Sequence, residues 1–269
     1  MKFYTVEKIA KQLPELRAAS VRAVLPLPPL KYFAGDAPGA AGPGFDDAAW
    51  PEFPLGSHWG GYDMIAWFRT TVTVPEVWRA GKVQLRFVPG PADGGESTAE
   101  AMLYVDGAPL QGLDVWHETA WLPPELKERP SLSLALRAWS ASWHPPAHRT
   151  FQVAQLELVD EPTEAFYHLA DTLHRTLAVL SPNDLRRELI LNALQAAFLK
   201  LDYTERRSDA FYASVSEAHA YLAACVQAWQ AQSEIKPRVT AIGHAHIDLA
   251  WLWRWTSTRD NCTWPSARR

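Results

Sequence analysis

Between residues 70 and 139 the chain repeatedly alternates apolar and polar residues, and this period of two constrains its fold more than any other feature. The stretches TTVTVP (70–75), KVQLRF (82–87), AEAMLYVDG (99–107) and SLSLALRAW (131–139) all read this way. Successive side chains of a strand point to opposite faces, so such runs are half-buried strands. Gly and Pro clusters separate them, which suits tight turns rather than helical crossovers. Asp106-Gly107 is a strong turn signal, since glycine adopts positive φ without steric cost. The pattern predicts an antiparallel β-sandwich of jelly-roll type, of about a hundred residues. Its buried set is expected to hold Leu85, Phe87, Leu103, Val105, Leu134 and Leu136.

The flanks read differently. Residues 5–19 place Val6, Ile9, Ala10, Leu13 and Leu16 at helical spacing, broken by Pro14. From Leu25 to Gly44, Pro, Gly and Ala are so frequent that regular structure is not expected, and the segment reads as a wrapping linker. Residues 162–232 turn helical. LRRELILNALQAAFLKL (185–201) carries Leu189, Leu191, Leu194, Ala197, Phe198 and Leu201 on one stripe. Ser181-Pro182-Asn183 reads as its start. A second helix, 208–230, opens at Ser208 with Asp209 in its first turn. These helices are packing elements and are assigned no chemistry.

Composition narrows the function. The 269 residues are ample for two domains, and 48% hydrophobic with 21% charged residues is ordinary for a soluble globular protein. A net charge of −4 gives no basic field for nucleic acid or an anionic membrane. No run approaches the roughly 18 apolar residues of a membrane span, and the N-terminus lacks a signal-peptide core. Two cysteines, Cys225 and Cys262, make no disulfide framework. A cytoplasmic location is expected. The 13 Trp residues are more than usual. Most should fill the core, but Trp is also a stacking surface for sugar rings.

Chemistry gathers near the end, in GHAHIDLAWLW (243–253). Val239, Ala241 and Ile242 form a short β-prone run, so His244, His246 and Asp248 sit at the carboxyl end of a strand, where α/β folds place active sites. At alternate positions the three share one face, while Ala245 and Ile247 take the other. Imidazole nitrogen with carboxylate oxygen suits Zn²⁺ and similar ions. A buried carboxylate beside histidines is expensive without a cation or donors. The competing reading is two core histidines with Asp248 capping a helix begun by LAWLW. The bare spacing does not separate the two.

GHAHIDLAWLW resembles the first zinc-site motif of the α-mannosidases of glycoside hydrolase family 38, in its cytosolic and vacuolar branch. WGGYDMIAWFRTTVTVP (59–75) and LYVDGAPLQGLDVWHETAWLP (103–123) resemble the sandwich that precedes the catalytic domain in that branch. Carried over by position, the resemblance implies His246 and Asp248 as zinc ligands and His244 as a neighbour of the site that does not ligate. It implies Trp251 as the aromatic lining the pocket for a terminal mannose. The implied cofactor is Zn²⁺, with Co²⁺ as the alternative ion. In the family zinc holds two sugar hydroxyls, and a separate aspartate attacks the anomeric carbon with net retention. No catalytic residue is assigned here, because the family's nucleophile and remaining ligands lie well downstream and only 21 residues follow Asp248.

The expected fold class is therefore α+β: a jelly-roll, galactose-binding-like β-sandwich, a helical connector, then the first strand of a truncated α/β catalytic domain. The expected boundaries are 1–58 for the N-terminal helix and wrapping linker, 59–160 for the sandwich, 161–236 for the helical connector and 237–269 for the start of the catalytic domain. The expected function is that of the front part of a retaining, zinc-dependent α-mannosidase acting on terminal α-mannosyl residues of oligosaccharides. A truncated or frame-shifted gene would leave this piece inactive alone. The expected partner is a mannose-containing oligosaccharide, with no nucleic acid and no membrane, and a homo-oligomer is allowed for. Two alternatives are a zinc-dependent amidohydrolase-type enzyme and a sugar-binding module without catalysis. The module would use Trp59, Trp67, Trp116 or Trp121 as platforms. Trp67, inside a strand pattern, reads as core, whereas Trp116 and Trp121, near Gly112 and Pro123, read as surface.

Overall fold

In the computed structural model, residues 5–90, 99–142, 147–233, 238, 240 and 241 are described. The chain forms two compact units. One joins the first helix to the helices after Val159, and the other spans Val24–Leu158. It begins with α1 (Thr5–Ala19), β1 (Val21–Pro26), β2 (Leu30–Ala34), β3 (Glu52–Phe53), β4 (His58–Gly61) and β5 (Ile65–Val72). Then come β6 (Lys82–Val88), β7 (Glu100–Val105), β8 (Ala108–Leu113), β9 (Thr119–Trp121), α2 (Pro124–Lys127) and β10 (Leu132–Trp139). β11 (Ala147–Thr150) and β12 (Val153–Val159) close the strands, and α3 (Glu161–Val179), α4 (Leu185–Phe198) and α5 (Asp209–Gln232) follow.

A four-stranded sheet ordered β1-β12-β6-β9 and a six-stranded sheet ordered β3-β2-β5-β10-β7-β8 make a jelly-roll sandwich, with β11 and β4 as a separate ribbon. Between the sheets, Phe68, Leu103, Leu134 and Leu136 of the larger sheet meet Leu85, Phe87, Ala120 and Leu156 of the smaller. All six expected core residues are buried, the most exposed of them, Val105, at 3%. Asp106 and Gly107 have φ of 50° and 85° and join β7 to β8 as the sequence predicts. Two consecutive positive φ values match the right-handed twist of paired strands.

The segment read as irregular is partly strand. Residues 21–26 and 30–34 are β1 and β2, so regular structure enters the sandwich well before residue 59. The prolines permit this because β1 lies at the edge of its sheet, where a missing amide breaks no ladder. The wrapping character belongs to residues 36–50. There Ala37, Ala40, Phe45 and Trp50 cover Ile65, Trp67, Ala135 and Trp139 on the outer face of the larger sheet. Arg69 also lies on that face, 4% exposed, paired with Asp47 at 2.7 Å and hydrogen-bonded to the Ala40 carbonyl.

In the helical unit, Ile9, Leu13 and Leu16 of α1 pack with Phe166, Leu194, Phe198, Val215 and Leu222. Pro14 lies inside α1 without ending it, on its exposed side. The buried face of α1 continues past it through Leu16 and Ala19, so packing outweighs one lost amide. Ser208 caps α5 as expected, accepting from the Phe211 amide at 3.1 Å. For α4 the cap is Asp184 rather than Ser181-Pro182-Asn183. Leu189, placed on the buried stripe by the sequence, is 52% exposed, and Ile190 and Ala193 are buried instead. The run to Ile242, read as the first catalytic-domain strand, lies largely outside the described residues.

Candidate functional site

His244, His246, Asp248 and Trp251 lie outside the described residues. Among the described residues no three His, Cys, Asp or Glu side chains gather as a metal site. Two of the buried ionisable groups there are matched by internal partners. Arg149, wholly buried, donates to the Ser140 carbonyl from Nε at 3.1 Å and Nη2 at 2.8 Å. Burial pulls its pKa down to about 10, against the opposing charge of Glu100. Glu157, 2% exposed, accepts from Gln84 Nε2 at 2.5 Å and Gln155 Nε2 at 2.6 Å. Such fully bonded groups hold strands together and offer no reactive atom.

The four tryptophans named as sugar platforms divide by local pattern. Trp59 and Trp67 are core, 3% and 4% exposed, with Trp59 Nε1 donating to the Pro89 carbonyl at 2.9 Å. Trp67 alternates outward on β5, but the 36–50 segment covers it. Trp116 is 84% exposed, held out by a turn in which Asp114 Oδ1 accepts from the Trp116 and His117 amides at 2.7 and 2.8 Å. Trp121 is 38% exposed, but Lys82 Nζ stands 3.5 Å from its ring centroid. The ammonium takes one face of that ring by cation–π attraction. No helix among the described residues is long and apolar enough to cross a membrane. Cys225, on α5, is a free thiol.

A family model described as "Alpha-mannosidase, jelly roll domain" matches residues 44–159. Alpha-mannosidase 2C1 of Homo sapiens is 26% identical over 230 residues, covering 79% of this chain and 21% of that protein. Alpha-mannosidase 2C1 of Mus musculus matches to the same extent. The chain thus spans about a fifth of the length of these curated relatives. Among solved structures, β-glucuronidase 2 of Bacteroides uniformis is 19% identical, covering 51% of this chain and 18% of that one, with a TM-score of 0.42. A β-glycosidase of Bacteroides vulgatus is 20% identical, covering 52% and 20%, with a TM-score of 0.39. The resemblance read from residues 59–75 and 103–123 falls inside the matched jelly-roll domain and is borne out by it.

Proposed function

We propose, from the kinship of this chain with the α-mannosidases of glycoside hydrolase family 38, that it is the front part of a retaining α-mannosidase acting on terminal α-mannosyl residues of oligosaccharides. One observation carries this reading: the jelly-roll match at 44–159 stands in the same chain as GHAHIDLAWLW. His246 and Asp248 supply one imidazole nitrogen and one carboxylate oxygen, a donor pair suited to Zn²⁺ or Co²⁺. When bound, such an ion supplies a Lewis acid for the hydroxyls of the substrate. His244 stands beside the ligands, and Trp251 offers an aromatic wall for the terminal sugar. The location that goes with this reading is the cytoplasm.

The test is hydrolysis of p-nitrophenyl α-mannoside by the protein that carries this chain, stripped with a chelator and then given Zn²⁺ or Co²⁺. Activity should vanish on stripping and return with metal, and the first product seen by NMR should be the α-anomer. Hydrolysis indifferent to metal, or none after its return, would overturn the reading.

A further inference from the structure

An open cleft of about 380 Å³ lies on the jelly-roll unit, lined by Gly35, Asp36, Gly61, Tyr62, Asp63 and Met64 with Ile65. That volume is in the range of small-molecule sites. Its walls are fixed. The Gly35 amide donates to the Ile65 carbonyl at 2.8 Å, and the Asp63 amide to the Ala141 carbonyl at 2.9 Å. Ser140 Oγ donates to the Gly61 carbonyl at 2.8 Å.

Two carboxylates at the cleft are held by indoles from the sheet. Trp139 Nε1 donates to Asp63 Oδ1 at 2.9 Å, and Trp67 Nε1 to Asp36 Oδ1 at 3.3 Å. Arg137 adds Nε and Nη2 contacts to Asp36, both at 3.4 Å. Burial alone would raise the Asp36 pKa, but Arg137 and Trp67 outweigh it and hold the carboxyl below its usual range. Tyr62, 53% exposed, adds a phenol ring to the cleft.

We propose that this cleft binds a pyranose sugar, with Tyr62 against the ring's C–H face and Asp36 and Asp63 accepting from its hydroxyls. The chemistry selects this ligand class. Two carboxylates repel an anion. Arg137, beside Asp36, opposes a cation. An apolar ligand would desolvate the charged groups without repaying them. A neutral polyol does repay them, because hydroxyl donors to a carboxylate form strong, charge-assisted bonds. An aromatic ring supplies apolar area at little entropic cost. None of the residues named at this cleft comes from GHAHIDLAWLW, and the site does not rest on the proposed function.

The test titrates the full 269-residue chain with methyl α-mannoside, methyl α-glucoside and methyl α-galactoside, with chelator present throughout. Tryptophan fluorescence reports binding, since the Trp67 and Trp139 indoles bond the two carboxylates, and calorimetry gives the affinity. Saturable binding of at least one sugar is expected in chelator, where a metal-dependent contact would be lost. Tyr62→Ala and Asp63→Asn should each weaken it about tenfold or more, the loss of one stacking surface or one charged acceptor. Asn tolerates the positive φ of 52° at residue 63 and keeps an acceptor for Trp139, so the fold should survive. Trp116→Ala should change nothing. No saturable binding of any of the three sugars, or both cleft variants binding as the parent does, would overturn the proposal. So would a loss confined to Trp116→Ala. If this chain binds sugar in chelator while the protein that carries it hydrolyses no mannoside after metal is returned, the proposed function falls and this site stands.

Discussion

Gly90 shows how much one residue can decide. It has a φ of 100°, and a Cβ there would stand 1.9 Å from the Thr150 carbonyl oxygen. The obstacle is backbone, so no rotamer change relieves it. Gly90→Ala should destabilise the jelly-roll unit by about 3 kcal/mol or more, combining overpacking with an unfavourable φ. Urea unfolding measures this directly, and a midpoint equal to the parent's would refute the close approach. The sequence does not mark this glycine off from the others, because the approach of β11 is a tertiary fact. Arg69 and Arg149 were equally illegible, since charge reads as surface until a partner is seen. The tryptophans were more legible. Trp67 sits in an alternating run and is buried, whereas Trp116 follows Gly112 and Asp114 and is exposed.

Elements with two distinct faces announced themselves. β6, β7 and β10 alternate because one face meets the core between the sheets and the other does not. β1 and β2 did not, since β1 is an edge strand ending in proline and β2 is followed by a covering loop. The start of α4 was misplaced by a few residues because Ser181, Asn183 and Asp184 are all plausible caps. The Asp184 amide donates to the Ser181 carbonyl at 3.0 Å, so those residues form a turn ahead of the cap itself. The hydrogen bonds and charge of Arg186 pull the Asp184 carboxyl down to a pKa of about 2. In the unfolded chain it would titrate near its ordinary value of about 3.9. The carboxylate therefore stabilises α4 above that value, and the contribution fades as pH falls toward about 2. Asp184→Asn keeps a capping oxygen but removes the titration, so its acid unfolding should be flatter between about pH 4 and 2. Far-UV circular dichroism follows it, and superimposable acid limbs would refute the assignment.

At the scale of the molecule, two kinds of site differ in how far a sequence can reveal them. The cleft at Tyr62 draws its residues from 35–36 and 61–65, with supporting indoles from β5 and β10. Only strand register brings them together, with Trp139 opposite Ile65 and Arg137 opposite Trp67. No local pattern could show it. The candidate metal ligands are local in sequence: residues at alternate positions would share a face in a strand. That difference shapes the last prediction. In the protein that carries this chain, His246→Ala and Asp248→Ala should each remove bound metal together with mannosidase activity, since each deletes a direct bond to the ion. His244→Ala should keep the metal, because the resemblance places it beside the ligands and not among them. Elemental analysis of the purified variants, read beside p-nitrophenyl α-mannoside turnover, separates the roles. Full metal content in both His246→Ala and Asp248→Ala would exclude them as ligands. Metal lost from His244→Ala as well would mean that all three alternating residues hold the ion.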